Sequence, residues 1–379
     1  MIYYFILFSL AFLSLYEYIS AQKKDNLVVA QKRNIQLFNF FAFILIILCI
    51  FRGNIGNDYG VYQNIFKYCL NWDFDRDKVE SGYVYLNCLF KYIFGNYYFM
   101  QVILSLFMLI VFFKNIKDKH ESPLFILFIF YVFYYLFLNF VIIRQGFAMV
   151  IVIIGTKYIR EKRFFLWCLV VLLAMQFHTT AIVAFPLYFS NIKIKPYTAI
   201  ILFATTVIIE IDGETFVHSI LDIISSASFL PETLSNLFTL YSDSDKFGTR
   251  VESEFTLGLV MKYLMYAYLV LLCYLKGENK SQEYFLLNFL IAILFSAMGR
   301  NFGVLVRISL YFFICGNGIM LYGLLMKQKI LGTKFHNFLV ILYIMFYSFW
   351  FHLAFMKKDV SGTMEYDRYV PYKTFFENN

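Results

Sequence analysis

Five cationic side chains, Arg52, Arg144, His178, Arg300 and Arg307, stand at or just inside the ends of long apolar stretches. A charge held near hydrocarbon costs on the order of several kcal/mol unless it is paired or solvated. A guanidinium stays charged and offers a planar fork of N–H donors that matches phosphate oxygens. Loop charge, set out below, places all five groups on the non-cytoplasmic side. Together they point to a site for an anionic ligand that arrives within the bilayer.

The individual motifs differ in weight. Arg144 and Gln145 sit in NFVIIRQGFAMVIVIIG, beside Gly146 and Ala148, whose small size permits close helix packing. The competing reading of Arg144 is an interfacial arginine that snorkels to headgroups. Arg300 and Arg307 lie in SAMGRNFGVLVRISLYFF, seven residues apart. That spacing puts them on one helix face, about 10 Å apart along the axis. Arg300 can snorkel, whereas Arg307 lies two turns into its span and needs another explanation.

The loop FRGNIGNDYGVY combines Arg52, Gly53, Gly56, Asp58, Tyr59 and Gly60. No strand-turn-helix unit surrounds it, so it is not a nucleotide fingerprint. Asp58 could pair with Arg52 or accept a proton, and an ordinary polar turn is the alternative. In VESGYVYL, Glu80 precedes an aromatic segment that reads as an interfacial helix. Asp73, Asp75 and Asp77 read as solvated charges. His178 stands alone in QFHTTA, which disfavours zinc. A lone histidine is ordinarily structural; near four arginines it is equally a hydrogen-bond donor or proton acceptor. There is no nucleophile elbow, and no metal or cofactor is expected.

These residues must be positioned by membrane helices. The chain has 379 residues, is 61% hydrophobic and has a mean hydropathy of +0.66. Its 15% of charged residues falls well below the roughly 25% of soluble proteins. The class is an all-α polytopic integral membrane protein, since continuous apolar segments exclude a β-barrel. The net charge of +8 is not a nucleic-acid signal, because the positive residues sort to one membrane face. Candidate spans are 2–20, 35–51, 97–113, 123–142, 144–159, 197–211, 255–275, 284–299, 302–326 and 335–353. The N-terminal span lacks a basic n-region and a small-residue cleavage site, so it is not read as a signal peptide. Of the six cysteines, Cys69 and Cys88 fall in an outer segment where a disulfide is conceivable.

Positive-inside counting decides how 164–190 is folded. A single crossing would put Lys193 and Lys195 outside and the acidic loop 212–254 inside. A re-entrant hairpin turning at Gln176 to Thr180 removes both anomalies. Cytoplasmic loops then hold 18 Lys/Arg against 6 Asp/Glu, as the rule demands. Irregular backbone at that depth is tolerated only where it is buried in protein or lines a cavity, so the turn would bring His178 to one. The expectation is a single transmembrane domain over 1–379 with about eleven membrane elements. Both termini are outside, with outer segments 52–96, 212–254 and 354–379.

The order of motifs then becomes recognisable: FRGNIGNDYGVY, ESGYVYLN, VIIRQGFAMVI, KYIREKR, LAMQFHTTAIVAFPLYF and later VRISLYF. It resembles the EpsG-like family of Wzy-type exopolysaccharide and O-antigen polymerases, best over about 50–190. The resemblance implies transfer of a glycan from undecaprenyl diphosphate to another lipid-linked repeat unit, at the outer face of the inner membrane. It implies no cofactor, and as partners the lipid-linked donor and acceptor, membrane lipid and a chain-length regulator, with no nucleic acid. Carried over residue by residue, it points to Arg52, Asp58, Tyr59, Glu80, Gly82, Tyr83, Arg144, Gln145, His178 and Arg307. Arg144, Arg307, Arg52, Arg300 and Gln145 are the expected diphosphate ligands. Glu80, Asp58 and His178 are candidate bases, and Tyr59 and Tyr83 candidate glycan contacts. Two competing classes are a ligase that transfers to lipid A core and a flippase. A flippase should carry charges along the midplane and show repeats, and this sequence does neither.

Overall fold

A membrane helix must satisfy its own backbone, because hydrocarbon offers no partners. The computed structural model is accordingly helical, and it describes residues 1–22, 27–56, 58–71, 79–119, 122–225, 256–275, 284–299, 303–327, 333–357 and 364–378. The chain divides into two compact units, Met1–Phe185 with Tyr322–Asn379, and Pro186–Leu321.

The first unit contains α1 (Ile2–Gln22), α2 (Leu27–Ile50), α3 (Tyr59–Tyr68), α4 (Ser81–Phe94), α5 (Tyr97–Lys119), α6 (Pro123–Phe130), α7 (Ile143–Arg160) and α8 (Phe164–Met175). Helix α6 is apolar all round, and every residue from Leu124 to Phe130 is at most 1% exposed. Such a helix belongs at the centre, and α1, α2 and α5 pack around it. Its N-terminal amides are capped by a distant side chain. Glu17 of α1, fully buried, accepts the Leu124 and Phe125 N–H groups at 3.3 and 2.9 Å. This answers the orphan donors of a helix start. Beyond Phe130 the chain widens into π-helical turns over Tyr131–Tyr135 and Phe137–Val141, then breaks at Ile142.

The segment after α8 doubles back. Trp167 Nε1 donates to the Phe185 carbonyl at 3.3 Å. In an unbroken helix those residues would stand about 27 Å apart. The reversal falls at Gln176–His178, followed by a 3₁₀ helix over Thr179–Ala184.

The second unit holds α9 (Leu187–Ser190), α10 (Pro196–Ser225), α11 (Leu257–Leu275), α12 (Leu286–Met298) and α13 (Gly303–Leu310). The chain returns to the first unit through α14 (Leu324–Lys327) and α15 (Thr333–Met356).

The expected count of about eleven membrane elements is not confirmed by the described residues. Among the described residues, five helices are long and apolar enough to cross a membrane, or six if the broken pair Leu305–Cys315 and Gly318–Met326 is one span. The physical reason is that composition counts apolar residues, whereas a crossing needs about 20 of them in continuous helix. The runs at 123–142 and 164–190 are apolar but interrupted by the π-turns and the reversal.

Candidate active site

Glu80 immediately precedes α4, and Arg144 lies in the first turn of α7. The Arg144 guanidinium donates from Nη1 to Glu80 Oε2 at 2.6 Å. The other carboxylate oxygen, Oε1, accepts the backbone N–H of Thr179 at 3.1 Å. The starts of α4, α7 and the 3₁₀ helix therefore meet around one ion pair. Each long-helix start carries the positive end of a dipole, so the locality is electropositive beyond the arginine itself. The pair is not sealed. Side-chain exposure is 24% for Arg144 and 14% for Glu80, and Ser81, Gln176 and Thr179 are exposed.

The turn at Gln176 is docked onto α4. The Tyr83 N–H donates to the Gln176 carbonyl at 3.2 Å, and Ser81 Oγ donates to Gln176 Oε1 at 3.0 Å. Between them Gly82 leaves no room for a side chain. A Cβ there would lie 2.7 Å from both Gln176 Cβ and the Gln176 carbonyl oxygen. His178 sits at the tip, with Nδ1 accepting the Thr180 N–H at 3.3 Å and facing Thr180 Oγ1 at 2.6 Å. An accepting Nδ1 places the ring proton on Nε2. Tyr62 of α3 closes the other side. Its hydroxyl donates to the Val141 carbonyl at 3.0 Å and lies within hydrogen-bonding reach of Arg144. Burial pushes the Tyr62 hydroxyl above its usual range, so it stays a donor.

The structure thus brings Glu80, Gly82, Arg144 and His178 together. It treats the remaining expected residues differently. Tyr59 and Tyr83, the expected glycan contacts, are buried, with Tyr59 edge-on to Tyr97 and Tyr83 edge-on to Tyr62. Gln145 is also fully buried, because adjacent helical residues point apart. Asp58 is half-buried at the start of α3 and makes no ion pair with Arg52. Arg52 is instead fully buried, with Nη1 donating to the Asn139 carbonyl and the guanidinium 4.6 Å over the Phe140 ring. Arg307 belongs to the second unit, half-buried on α13. Arg300 lies outside the described residues. Cys69 and Cys88 are neighbours as free thiols, Cys88 Sγ donating to the Cys69 carbonyl at 3.2 Å. Burial, with the adjacent Cys88, pushes the Cys69 thiol up to about 11.

The model of the EpsG family matches residues 35–374, nearly the whole chain. The chain belongs to the EpsG family. It is a multi-pass membrane protein of the polysaccharide-polymerase type. No curated protein and no solved structure matches it. The match to this EpsG-family protein spans every residue of the Glu80–Arg144 site and continues to the C-terminal segment.

Sequence reasoning missed several contributors. Gln176 and Thr179 were read only as part of a turn, because the Gln176 carbonyl and the Thr179 amide act as backbone groups, which leave no mark on residue type. Tyr62 was hidden among 31 tyrosines. Outside the site, the buried Glu17 and Glu210 were also passed over although each carried a signal, a carboxylate within an apolar run.

Proposed function

We propose that this protein polymerises lipid-linked oligosaccharide repeat units at the outer face of the bacterial inner membrane. The supporting observation is the partly exposed Arg144–Glu80 pair at three converging helix starts. The donor is a glycan on undecaprenyl diphosphate, already activated, so the protein's task is positioning and charge stabilisation. Arg144 takes the diphosphate, assisted by the positive dipole ends of the helix starts. The acceptor hydroxyl oxygen attacks the anomeric carbon of the donor sugar, the bond from that carbon to phosphate oxygen breaks, and undecaprenyl diphosphate leaves. Glu80 accepts the hydroxyl proton once the diphosphate has drawn Arg144 away from it. His178 Nε2–H orients the acceptor or a phosphate oxygen. Arg307, in the second unit, is proposed as a phosphate ligand on separate grounds, a guanidinium about one turn into an apolar stretch.

The test uses full-length protein in lipid nanodiscs with undecaprenyl diphosphate as probe, beside polymer analysis in cells. Arg144→Ala should weaken binding, and Arg144→Lys should restore little, because an ammonium lacks the planar fork. Glu80→Gln should bind the probe as the parent does yet form no polymer. A deletion strain should keep a single repeat unit on its acceptor. Loss of all attached repeats would favour a ligase instead, and full polymer from Arg144→Ala at normal protein level would remove the assignment.

A further inference from the structure

The fully buried Arg52 serves a different end from Arg144. Its environment is the backbone break between the π-turns and α7. A helix ending at Val141 leaves its last carbonyls without intrahelical partners. Arg52 Nη1 takes the Asn139 carbonyl, and the Tyr62 hydroxyl takes the Val141 carbonyl at 3.0 Å. Phe140, between them, lies under the Arg52 guanidinium at 4.6 Å. Both clamps thus grip alternate carbonyls of one short stretch, and Arg144 follows within three residues.

Arg52 is itself immobilised from behind by the C-terminal segment. The Gly53 N–H donates to the Lys373 carbonyl at 2.8 Å, and Arg52 pairs with Thr374 in an antiparallel bridge. The Phe375 N–H donates to the Phe51 carbonyl at 3.2 Å, the Gly56 N–H to the Arg368 carbonyl at 3.2 Å, and the Tyr372 hydroxyl to the Leu48 carbonyl at 2.7 Å. The Arg52 carbonyl accepts from Gln101 Nε2 at 2.9 Å. Gly56 has φ +95°, and a Cβ there would sit 2.5 Å from the Phe140 oxygen, so the loop can approach the break only with glycine.

We infer that Arg52 is a positioning residue: with Tyr62 it clamps the broken backbone at 139–142 and so fixes where Arg144 meets Glu80. The inference rests on the reading of Arg144 as the phosphate ligand. It removes Arg52 from the list of groups that touch the substrate. Buried under the tail, it sets the direction in which α7 starts. A misplacement of about 1 Å at a reacting centre can cost about a hundredfold in rate, so such a clamp has a catalytic consequence without contact.

The experiment is amide hydrogen exchange on the full-length protein in nanodiscs, joined to undecaprenyl diphosphate binding. The Ile142 amide is bonded to the Phe137 carbonyl and the Gly146 amide to the Ile142 carbonyl, so both are protected at the break. Arg52→Ala should speed exchange in peptides covering 137–148 by about tenfold, within the coupling ordinarily found between contacting residues. Peptides from α15 should be unaffected. Arg52→Lys should restore part of the protection, since an ammonium can still donate to the Asn139 carbonyl. If Arg52→Ala does not fold, Tyr62→Phe tests the same clamp, because it keeps the ring against Tyr83 and removes only the hydroxyl. Binding should fall about tenfold in Arg52→Ala, whereas adding Arg52→Ala to Arg144→Ala should cost nothing further, because the clamp acts through Arg144. Unchanged exchange at 137–148, an equal rise in α15, or additive losses of binding would each overturn the inference. If Arg144→Ala alone binds the probe as tightly as the parent, the phosphate reading fails, and the exchange result still decides the clamp.

Discussion

Two carboxylate–cation pairs, one in each unit, make an informative contrast. In the first unit Glu80 meets Arg144 at 2.6 Å, and its second oxygen takes a backbone amide. In the second unit Glu210 of α10 meets Lys262 of α11 at 3.4 Å, and its second oxygen takes the Tyr263 hydroxyl at 2.6 Å. Both satisfy their carboxylate. They differ in exposure and surroundings. The Glu210 side chain is 5% exposed, and aromatic rings cover it: Tyr263 is edge-on to Phe203 and to Tyr266. The Glu80 pair opens to solvent among helix starts. The closed pair ties two helices together at the cost of two desolvated charges. The open pair can exchange its partner for an incoming anion, which is what a binding site requires.

The contrast can be broken most forcefully in the second unit. Lys262→Ala leaves Glu210 buried without its cation, and stability should drop by about 3 kcal/mol, toward the lower end for a broken buried pair because Lys262 is partly exposed. Replacing both partners, as Glu210→Leu with Lys262→Met, should be nearly neutral. Thermal unfolding of the detergent-solubilised protein reads both. A double variant as unstable as the single one would mean that the pair is not the closed lock described.

In the first unit the expected effect is on activity. Arg144→Ala should lower polymer formation by about a hundredfold or more, the scale for removing one donor to developing charge. Its thermal midpoint should stay close to that of the parent, since both partners are partly hydrated. A large loss of stability would make this pair structural, like the other. A smaller effect is expected from Gly82→Ala. The added methyl must push Gln176 away, which costs about 1–3 kcal/mol in a packed contact, and polymer yield should fall with normal Arg144-dependent binding of undecaprenyl diphosphate. Normal yield would mean that the docking of α4 on the turn is dispensable.

The smallest perturbation tests the membrane placement. Single cysteines at Ile194 and Leu230 should leave activity intact. With the hairpin as a re-entrant element, position 194 labels only after permeabilisation and position 230 labels from outside. The reverse pattern would turn 164–190 into a crossing and put the Glu80 site on a different footing.

Much of the site was legible because unusual residue types stood where hydrocarbon should be. Arg144 and His178 each interrupt an apolar context, Glu80 stands just before an aromatic one, and the charge balance of flanking loops indicated a reversal near Gln176. The burial of Tyr59, Tyr83 and Gln145 was not legible, since a tyrosine or an amide suits a packed core and a groove equally well. The separation of Asp58 from Arg52 was hidden for the same reason: five intervening residues allow the contact without demanding it.

The sequence by itself determined the membrane class and the helical backbone. These follow from local composition and from the cost of placing polar groups in hydrocarbon. Only the tertiary structure decided which charges meet. Glu17 finds the start of α6 more than 100 residues away. Arg52 lies beneath residues 368–375, and Glu80 joins Arg144 across 64 positions. Such contacts depend on how helix starts and breaks stack in space, and no local pattern of residue types encodes that geometry.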